Sequence, residues 1–515
     1  MDCYSNLDPF FGDIHNHCNI TFGHGSIEDA IRNAKERLHF CSVTGHAYWP
    51  DIPEPNNEIK HIVDFHKAGF EKLKKTWNHT LQVIKENNRE GSFITFPSFE
   101  VHSCEDGDRT ILYKQDDGEL FYPDSTTEIE EKVRQLRAGD TEVLYFPHHI
   151  GYKLGRRGVN WNTFSSNFSP VVEIVSLHGS SEREESSRPL LTQMGPKEGS
   201  TLMQAGLQQG HFFGVIGNTD HHSGHPGSYG NGMTCVWSKE LTRESIWDAL
   251  WQKRTYALTG DKNILQFALN NHPMGSELPF CKERHIEIDS NAGGFIDYID
   301  IIKNNRLLKR FSSTDVPHPA LHNTLRTKLF LEVGWGHRDY KMEWNVELGV
   351  ANGKIIDVDP RFRGHLVISP LDESNDAENT YFSHWEPINE STVVFKTTTW
   401  GNPNPYSNTC QGICIEVDSP PGDTVILNIN GRSHSVSLQT VLERSAAGFV
   451  SENIESPAWR LHKAPLSHDY HWNVSYLDSC EPENSLGTGD VYYVRVRQEN
   501  DQWAWSSPIR VKPTP

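Results

Sequence analysis

The sequence predicts an α/β domain, closed as a barrel, followed by an antiparallel β-sandwich-like C-terminal region. Three observations carry this. Up to about Gly260, short apolar runs alternate with helical patterns, the signature of repeated βα units. Beyond it, runs such as HIEIDS, FIDYIDII, KLFLEVGW, TVILNING and DVYYVRVRQ alternate apolar and polar residues between Gly, Pro, Asn and Asp turns, the pattern of antiparallel strands in one or two sandwich-like modules. Histidine is unevenly spread: the chain has 27, and 16 of them precede Pro226. The division is placed between residues 1–262 and 263–515.

In chain order, the first-half strands are expected at the ends of FFGDIHNHC, HFCSVTGHA, SFITFPSFEVHS, VLYFPHHIG, VVEIVSLHG and FFGVIGNTDHH. Between them, Ser26 with Asp29 three residues on reads as a capping signal for a helix over Ile27 to Leu38, because the serine oxygen can satisfy a free first-turn amide. Ile59, Ile62, Val63, Phe70, Leu73, Trp77, Leu81 and Ile84 follow helical spacing, so a long helix there should bury one face. Thr126 to Ala138 and Arg243 to Lys253 are further helices.

Composition excludes several classes. Across 515 residues, 68 acidic side chains against 48 basic ones leave a net charge of −20, which opposes a sequence-independent grip on nucleic acid or an anionic membrane surface. No apolar run approaches a membrane span of roughly 20 residues, so a soluble protein is expected. The start MDCYSNLDPFFGDIH lacks the basic and apolar stretches of a signal peptide. Nine cysteines without a Cys-x-x-Cys pair favour a reducing, cytoplasmic setting, although Cys410 and Cys414 could pair in an exported protein. Oligomeric state is not legible.

The chemistry sits at the strand ends. His15 and His17 close the first, His46 the second, Glu100 and His102 the third, His148 and His149 the fourth, Glu173 and His178 the fifth, and Asp220, His221 and His222 the last. In a βα barrel such ends meet at one mouth. Imidazoles and carboxylates gathered there without a cation would leave buried polar groups and mutually repelling anions, and divalent metal resolves both problems. In an extended strand, residues i and i+2 point the same way, so His15-x-His17 and Asp220-x-His222 can each face one ion.

GDIHNHC, SVTGHA, FPSFEVH, YFPHHIG, VVEIVSLHG and GNTDHH, in this order, resemble the strand-end motifs of the PHP (polymerase and histidinol phosphatase) superfamily. More closely, the chain resembles a PHP-like family of unassigned function with a C-terminal β region ending in a pattern like YYVRVRQ…AWSSPI, here Tyr492 to Ile509. The resemblance implies a distorted (βα)7 barrel holding two or three divalent ions. It implies that His15, His17 and Asp220 share one metal with a bridging Glu100. His24, His46 and His222 match a third metal site, and the remaining site combines Glu100 with His148 or His149 and either His178 or Glu173. The usual Thr-Asp-His is Thr44-Gly45-His46 here, and an acidic residue is replaced around His24. Fewer anionic ligands favour an anionic substrate.

Mixed imidazole and carboxylate ligands suit Zn, Mn or Fe. The expected function is a phosphoesterase acting on a small phosphomonoester or phosphodiester through metal-activated water. His221, His225 or His178 are candidates for the leaving-group acid. Arg188 and Arg183 after the fifth motif, with Lys153, Arg156 and Arg157 after the fourth, are candidates to meet the anion, although pairing with neighbours such as Glu182 is the commoner fate of such arginines. HHSGHPGSYGNG reads as a mobile loop shaping the pocket. Tyr48, Trp49 and Trp161 are candidates for an aromatic platform. Rival readings are a hydrolase of a carboxylic ester, amide, lactone or sulfate ester, possibly of a saccharide, and a non-catalytic, metal-braced carbohydrate-binding protein using Trp385, Trp400, Trp503 and Trp505.

Overall fold

Helices begin where the capping signals fall. In this computed structural model, which describes residues 1–316, 324–365, 382–481 and 487–513, Ser26 Oγ accepts the Asp29 N–H at 3.1 Å and opens α1 (Ile27–Lys35). The long periodic segment is α2 (Lys60–Asn87), whose face of Val63, Phe70, Leu73, Trp77 and Ile84 is buried. Each such side chain contributes about 1.5–3 kcal/mol by leaving water. Ser125 Oγ accepts the Glu128 N–H at 3.2 Å at the start of α3 (Thr126–Ala138). Then come α4 (Met203–Gln208) and α5 (Arg243–Trp251), the latter capped by Thr242 Oγ1 on the Ser245 N–H at 3.1 Å.

The first-half strands are β1 (Asp8–Asp13), β2 (Phe40–Cys41), β3 (Thr44–Tyr48), β4 (Ile94–Thr95), β5 (Ser98–Val101), β6 (Arg109–Tyr113), β7 (Val143–Pro147), β8 (Val171–Ser176), β9 (Gly179–Ser180), β10 (Gly214–Gly217), β11 (Met233–Ser238) and β12 (Thr255–Leu258). They correct the expectation of one closed barrel. Hydrogen bonding deals them into separate sheets, β3-β5-β6-β7, β10-β8-β9 and β4-β2-β1-β11-β12, and none of these closes on itself. The repeated-βα expectation holds only in part. β1 and β2, β2 and β4, β3 and β5, and β8 and β10 pair in parallel, but β6 is antiparallel to both β5 and β7. Only residues 102–108 connect β5 to β6, too few for a parallel crossover of about a dozen residues.

β12 also pairs antiparallel with Trp503–Ser506, so the first-half sheet runs on into Asp490–Gln498 and Ile509–Val511 from the end of the chain. A second sheet of Ile264–Leu269, Glu283–Asn291 and His471–Ser479 shares a core with it. Between these segments lies a distal sandwich of two five-stranded sheets. Its core of Leu329, Val346, Leu348, Phe395, Ile413 and Leu427 is fully buried, as period-two patterning dictates. The sandwich docks beside the histidine-bearing loops: Tyr229 N–H donates to Phe362 O at 2.8 Å, Gly364 N–H to Ser228 Oγ at 3.0 Å, and Trp385 Nε1 to Glu36 O at 3.0 Å.

Trp503 and Trp505 stack in the core at 5.5 Å between ring centres, and Trp161 packs at 5.3 Å on Phe213, so these rings form no exposed sugar platform. All nine cysteines are free, which corrects the possible pairing of Cys410 with Cys414. No helix of the described residues is long and apolar enough to cross a membrane.

One buried acid sets a pH limit on the distal sandwich. Against burial, which alone would raise it, His462 and Arg363 draw the Glu332 carboxyl down from 4.5 to about 2. A depressed acid stabilises the fold above its unfolded value, and that contribution is lost as pH falls from about 4.5 through about 2. Glu332→Gln is therefore expected to lower stability at neutral pH and to flatten acid denaturation in this window. Urea titrations at pH 7, 4 and 3 check it, and a mutational difference that stays constant with pH would contradict it.

Candidate metal centre

Asp13, the last residue of β1, organises the loops that follow two different strands. Its Oδ2 accepts the Thr219 hydroxyl at 2.5 Å and the Gly227 N–H at 2.9 Å, and its Oδ1 accepts the His15 N–H at 3.2 Å. The loop after β1 and the loop after β10 are thereby held together. Asp220 N–H donates to His15 O at 2.8 Å and His17 N–H to His221 O at 2.9 Å, which completes the clamp. Asp220 adopts φ +52° and His149 +32°, left-handed conformations that non-glycine residues occupy rarely and mostly where the fold demands them.

The result is a convergence of donors. His15 Nε2 and His17 Nε2 lie 3.2 Å apart, and Asp220 Oδ1 is 3.6 Å from the first and 3.1 Å from the second. The two imidazoles meet as the i, i+2 argument expected, but from a bend beyond β1 rather than from within an extended strand. Parallel pairing of β3 with β5 sets His46 beside Glu100, with Nδ1 to Oε2 at 3.1 Å. His102 Nδ1 and His148 Nε2 lie 3.1 and 3.2 Å from Glu100 Oε1. His149 Nε2 is 3.4 Å from Asp108 Oδ2.

Four donor groups result, each with its ligand atoms within 4.8 Å of one another: His15, His17 and Asp220; His17, His46 and His222; His46, Glu100 and His102; and Glu100, Asp108, His148 and His149. They overlap at His17, His46 and Glu100. Glu100 Oε2, His46 Nε2 and His148 Nε2 are buried without a hydrogen-bond partner, a costly arrangement unless a cation takes them. The donor set fits more than one divalent ion.

Electrostatics agree with that crowding. Burial alone would raise Glu100, yet His46, His102 and His148 hold its carboxyl well below the usual range. Burial would likewise lower His15, yet Glu173 and Asp220 hold it well above. Burial, with His15 beside it, takes His148 down to about 3 and so favours the neutral imidazole that ligates metal.

The family described as "Protein of unknown function (DUF3604)" matches residues 228–271. A Chlamydia trachomatis serovar D protein described as uncharacterized is 27% identical over 255 residues, 45% of this chain and 40% of its own length. Another from Chlamydia pneumoniae is 25% identical over 255 residues, 46% of this chain. This chain thus spans less than half the length of the curated relatives it matches. A solved structure, described as a two-domain protein containing predicted PHP-like metal-dependent phosphoesterase from Bacteroides vulgatus ATCC 8482, aligns over 84% of this chain and 96% of its own, at 11% identity and a TM-score of 0.31. The residues gathered here come from the ordered histidine and carboxylate motifs of the sequence.

His15, His17, His46, Glu100, His148, His149, Asp220 and His222 all lie in the donor groups. Glu173 stands behind them: its Oε2 is 2.9 Å from His15 Nδ1 and accepts Asn218 Nδ2 at 2.9 Å, which orients His15. His24 is outside the groups, and its N–H donates to His222 O at 2.8 Å. His178 bridges, with Nε2 2.9 Å from Asp220 Oδ2 and Nδ1 2.7 Å from the Tyr152 hydroxyl. His221 Nδ1 lies 2.9 Å from Ser223 Oγ. Arg188, expected to meet an anion, instead donates to Gly230 O at 2.8 Å and Asp501 O at 3.0 Å, so it ties the glycine-rich loop to the C-terminal strands. That loop, expected to be mobile, is pinned against the distal sandwich through Ser228 and Tyr229. Arg157 brings a cation to the centre, bonded to Asp108 and lying 4.3 Å above the Trp49 ring.

Asp108 and Tyr152 escape a reading based on strand ends. Asp108 precedes β6, and because β6 runs antiparallel, its beginning rather than its end reaches the pocket. His102 had a visible signal, the same i, i+2 spacing from Glu100 that marks His15 and His17.

The partner behind His15 gives a prediction. Carboxylates that orient a ligating imidazole typically matter by about 10–100-fold in metal affinity or activity. Glu173→Gln is expected to weaken metal retention on that scale while the fold is kept, as read by competition with a chelator; unaltered retention would remove Glu173 from this role.

Proposed function

We propose that this chain is a multinuclear metal-dependent hydrolase, specifically a phosphoesterase acting on a small phosphomonoester or phosphodiester. The observation that carries the reading is the overlap of four buried donor groups through His17, His46 and Glu100, an arrangement suited to neighbouring ions. The ligand chemistry suits Zn, Mn or Fe. When bound, adjacent ions of this kind supply a water of lowered pKa and neutralise charge on a phosphoryl oxygen.

The remaining tasks fall to the chain's own side chains. Glu173 fixes the tautomer and direction of His15, so that Nε2 faces the pocket. We assign the proton for the departing oxygen to His178, which must exchange its contact with Asp220 or with Tyr152 for that oxygen to deliver it. Arg157 keeps Asp108 ionised and aimed at His149. His221 lies under the docked sandwich, where a Cβ on Gly364 would come within 2.8 Å of its ring.

The test is turnover by metal-loaded protein on aryl phosphate, phosphodiester, sulfate ester and acyl ester. Phosphate or phosphodiester hydrolysis is expected to exceed the others, and turnover confined to sulfate or acyl esters would overturn the phosphoesterase reading. If His178 protonates the leaving group, His178→Gln should slow an alkyl phosphate by roughly 10²–10⁴-fold, with much less effect on 4-nitrophenyl phosphate, whose leaving group needs no proton. Equal losses on both substrates would assign His178 to positioning Asp220.

A further inference from the structure

A second concavity lies where the glycine-rich loop, the proximal sheets and the distal sandwich meet. It has a volume of about 520 Å³ and uses none of the residues of the metal centre. Five fixed cations line it, Lys328, Arg361, Arg363, Arg460 and Lys463, against two carboxylates, Glu332 and Glu499. In a chain of net charge −20 the lining itself is net positive, and like charges brought together raise the free energy of the fold unless something answers them.

Three of the five are answered internally. Arg361 pairs with Asp261 and Asp359 at 3.1 Å each. Lys328 donates to Ala292 O at 2.7 Å and lies 3.6 Å from Glu416. Arg363 pairs with Glu332 at 3.3 Å. Arg460 and Lys463 have no carboxylate within ion-pair distance among the described residues. Glu332 sits opposite Arg460 in the strand register, but its oxygens are taken by Arg363 and, at 3.1 Å, by His462.

The walls between these charges are aromatic. Phe330 and the His462 ring stack at 4.5 Å, Arg361 lies 4.6 Å over the Phe330 ring, and Lys463 lies 5.3 Å from the Phe295 ring. Cations at the rim and flat apolar surface below are complementary to a molecule with an anionic head and an aromatic body.

We infer that this cleft is a binding site, separate from the metal centre, for a small anion carrying an aromatic or other flat apolar portion, with Arg460 and Lys463 meeting the charge and the aromatic wall of Phe330, His462 and Phe295 meeting the ring. The inference does not depend on the hydrolase reading.

Phenylphosphonate is a suitable probe, since its C–P bond resists ester hydrolysis, and methylphosphonate reports the charge without the ring. Isothermal titration uses the full chain carrying Asp220→Ala, and chelator-treated wild type if that variant does not fold, so that binding at the metal centre is suppressed. Phenylphosphonate should bind and methylphosphonate should bind more weakly. Adding Arg460→Glu and Lys463→Glu, both at exposed positions, should weaken phenylphosphonate by about tenfold or more. Absence of phenylphosphonate binding at millimolar concentration, or unchanged affinity after the charge reversal, overturns the site. Equal affinity for both phosphonates overturns the aromatic part of the assignment.

Discussion

Glu100→Gln is expected to cut phosphoester turnover by about a thousandfold or more and to lower the bound metal, with the fold retained. Both oxygens of Glu100 face imidazoles, Oε2 lying 3.1 Å from His46 and Oε1 3.1 and 3.2 Å from His102 and His148. It belongs to two donor groups, so losing its charge weakens both at once. Glutamine keeps the shape, which isolates charge from packing. Metal-assisted charge stabilisation is worth several kcal/mol, and about 4 kcal/mol corresponds to three decades in rate. Elemental analysis after dialysis and turnover on the same preparation check the expectation. Full metal content with normal turnover would leave Glu100 as an ordinary buried acid and remove the reading that depends on it.

Much of this centre was legible because its ligands come in local pairs. His15-x-His17, Glu100-x-His102 and His148-His149 announce themselves by spacing, and the apolar runs before them place them at strand ends. What spacing does not encode is strand direction. Asp108 joins the centre through the hairpin from β5 to β6, and a reading that assumed every strand parallel looked for ligands only at strand ends. The same assumption produced a closed barrel where hydrogen bonding leaves separate sheets. The helices fared better, because Ser26 and Ser125 fix starts locally and α2 needs only its apolar stripe. The return of Trp503–Ser506 to β12 depends on contacts across nearly half the chain, for which no local signal exists.

Glu182 shows how far a local reading can miss, and it carries the largest expected effect on stability. By sequence it is one of several acids among surface arginines. In the fold it is buried, and its Oε1 accepts the Tyr493 hydroxyl at 2.8 Å and Arg495 Nη1 at 3.0 Å, while Oε2 accepts Trp505 Nε1 at 2.9 Å. Three donors from the C-terminal strands thus converge on one carboxylate of the first half. Arg495 is in turn bonded to the buried Asp300 at 2.8 Å, so the charge is shared along Glu182, Arg495 and Asp300. Removing one partner of a buried pair leaves an uncompensated charge, which typically costs about 3–5 kcal/mol, whereas removing both partners costs far less. Glu182→Ala is therefore expected to destabilise by about that amount in urea denaturation. Here Asp300 still answers Arg495, so the value should fall toward the lower end, and Glu182→Ala combined with Arg495→Met should cost less than the sum of the single changes. Strict additivity would mean that the two side chains stabilise the junction independently, and that the ion pair is not what joins the two regions.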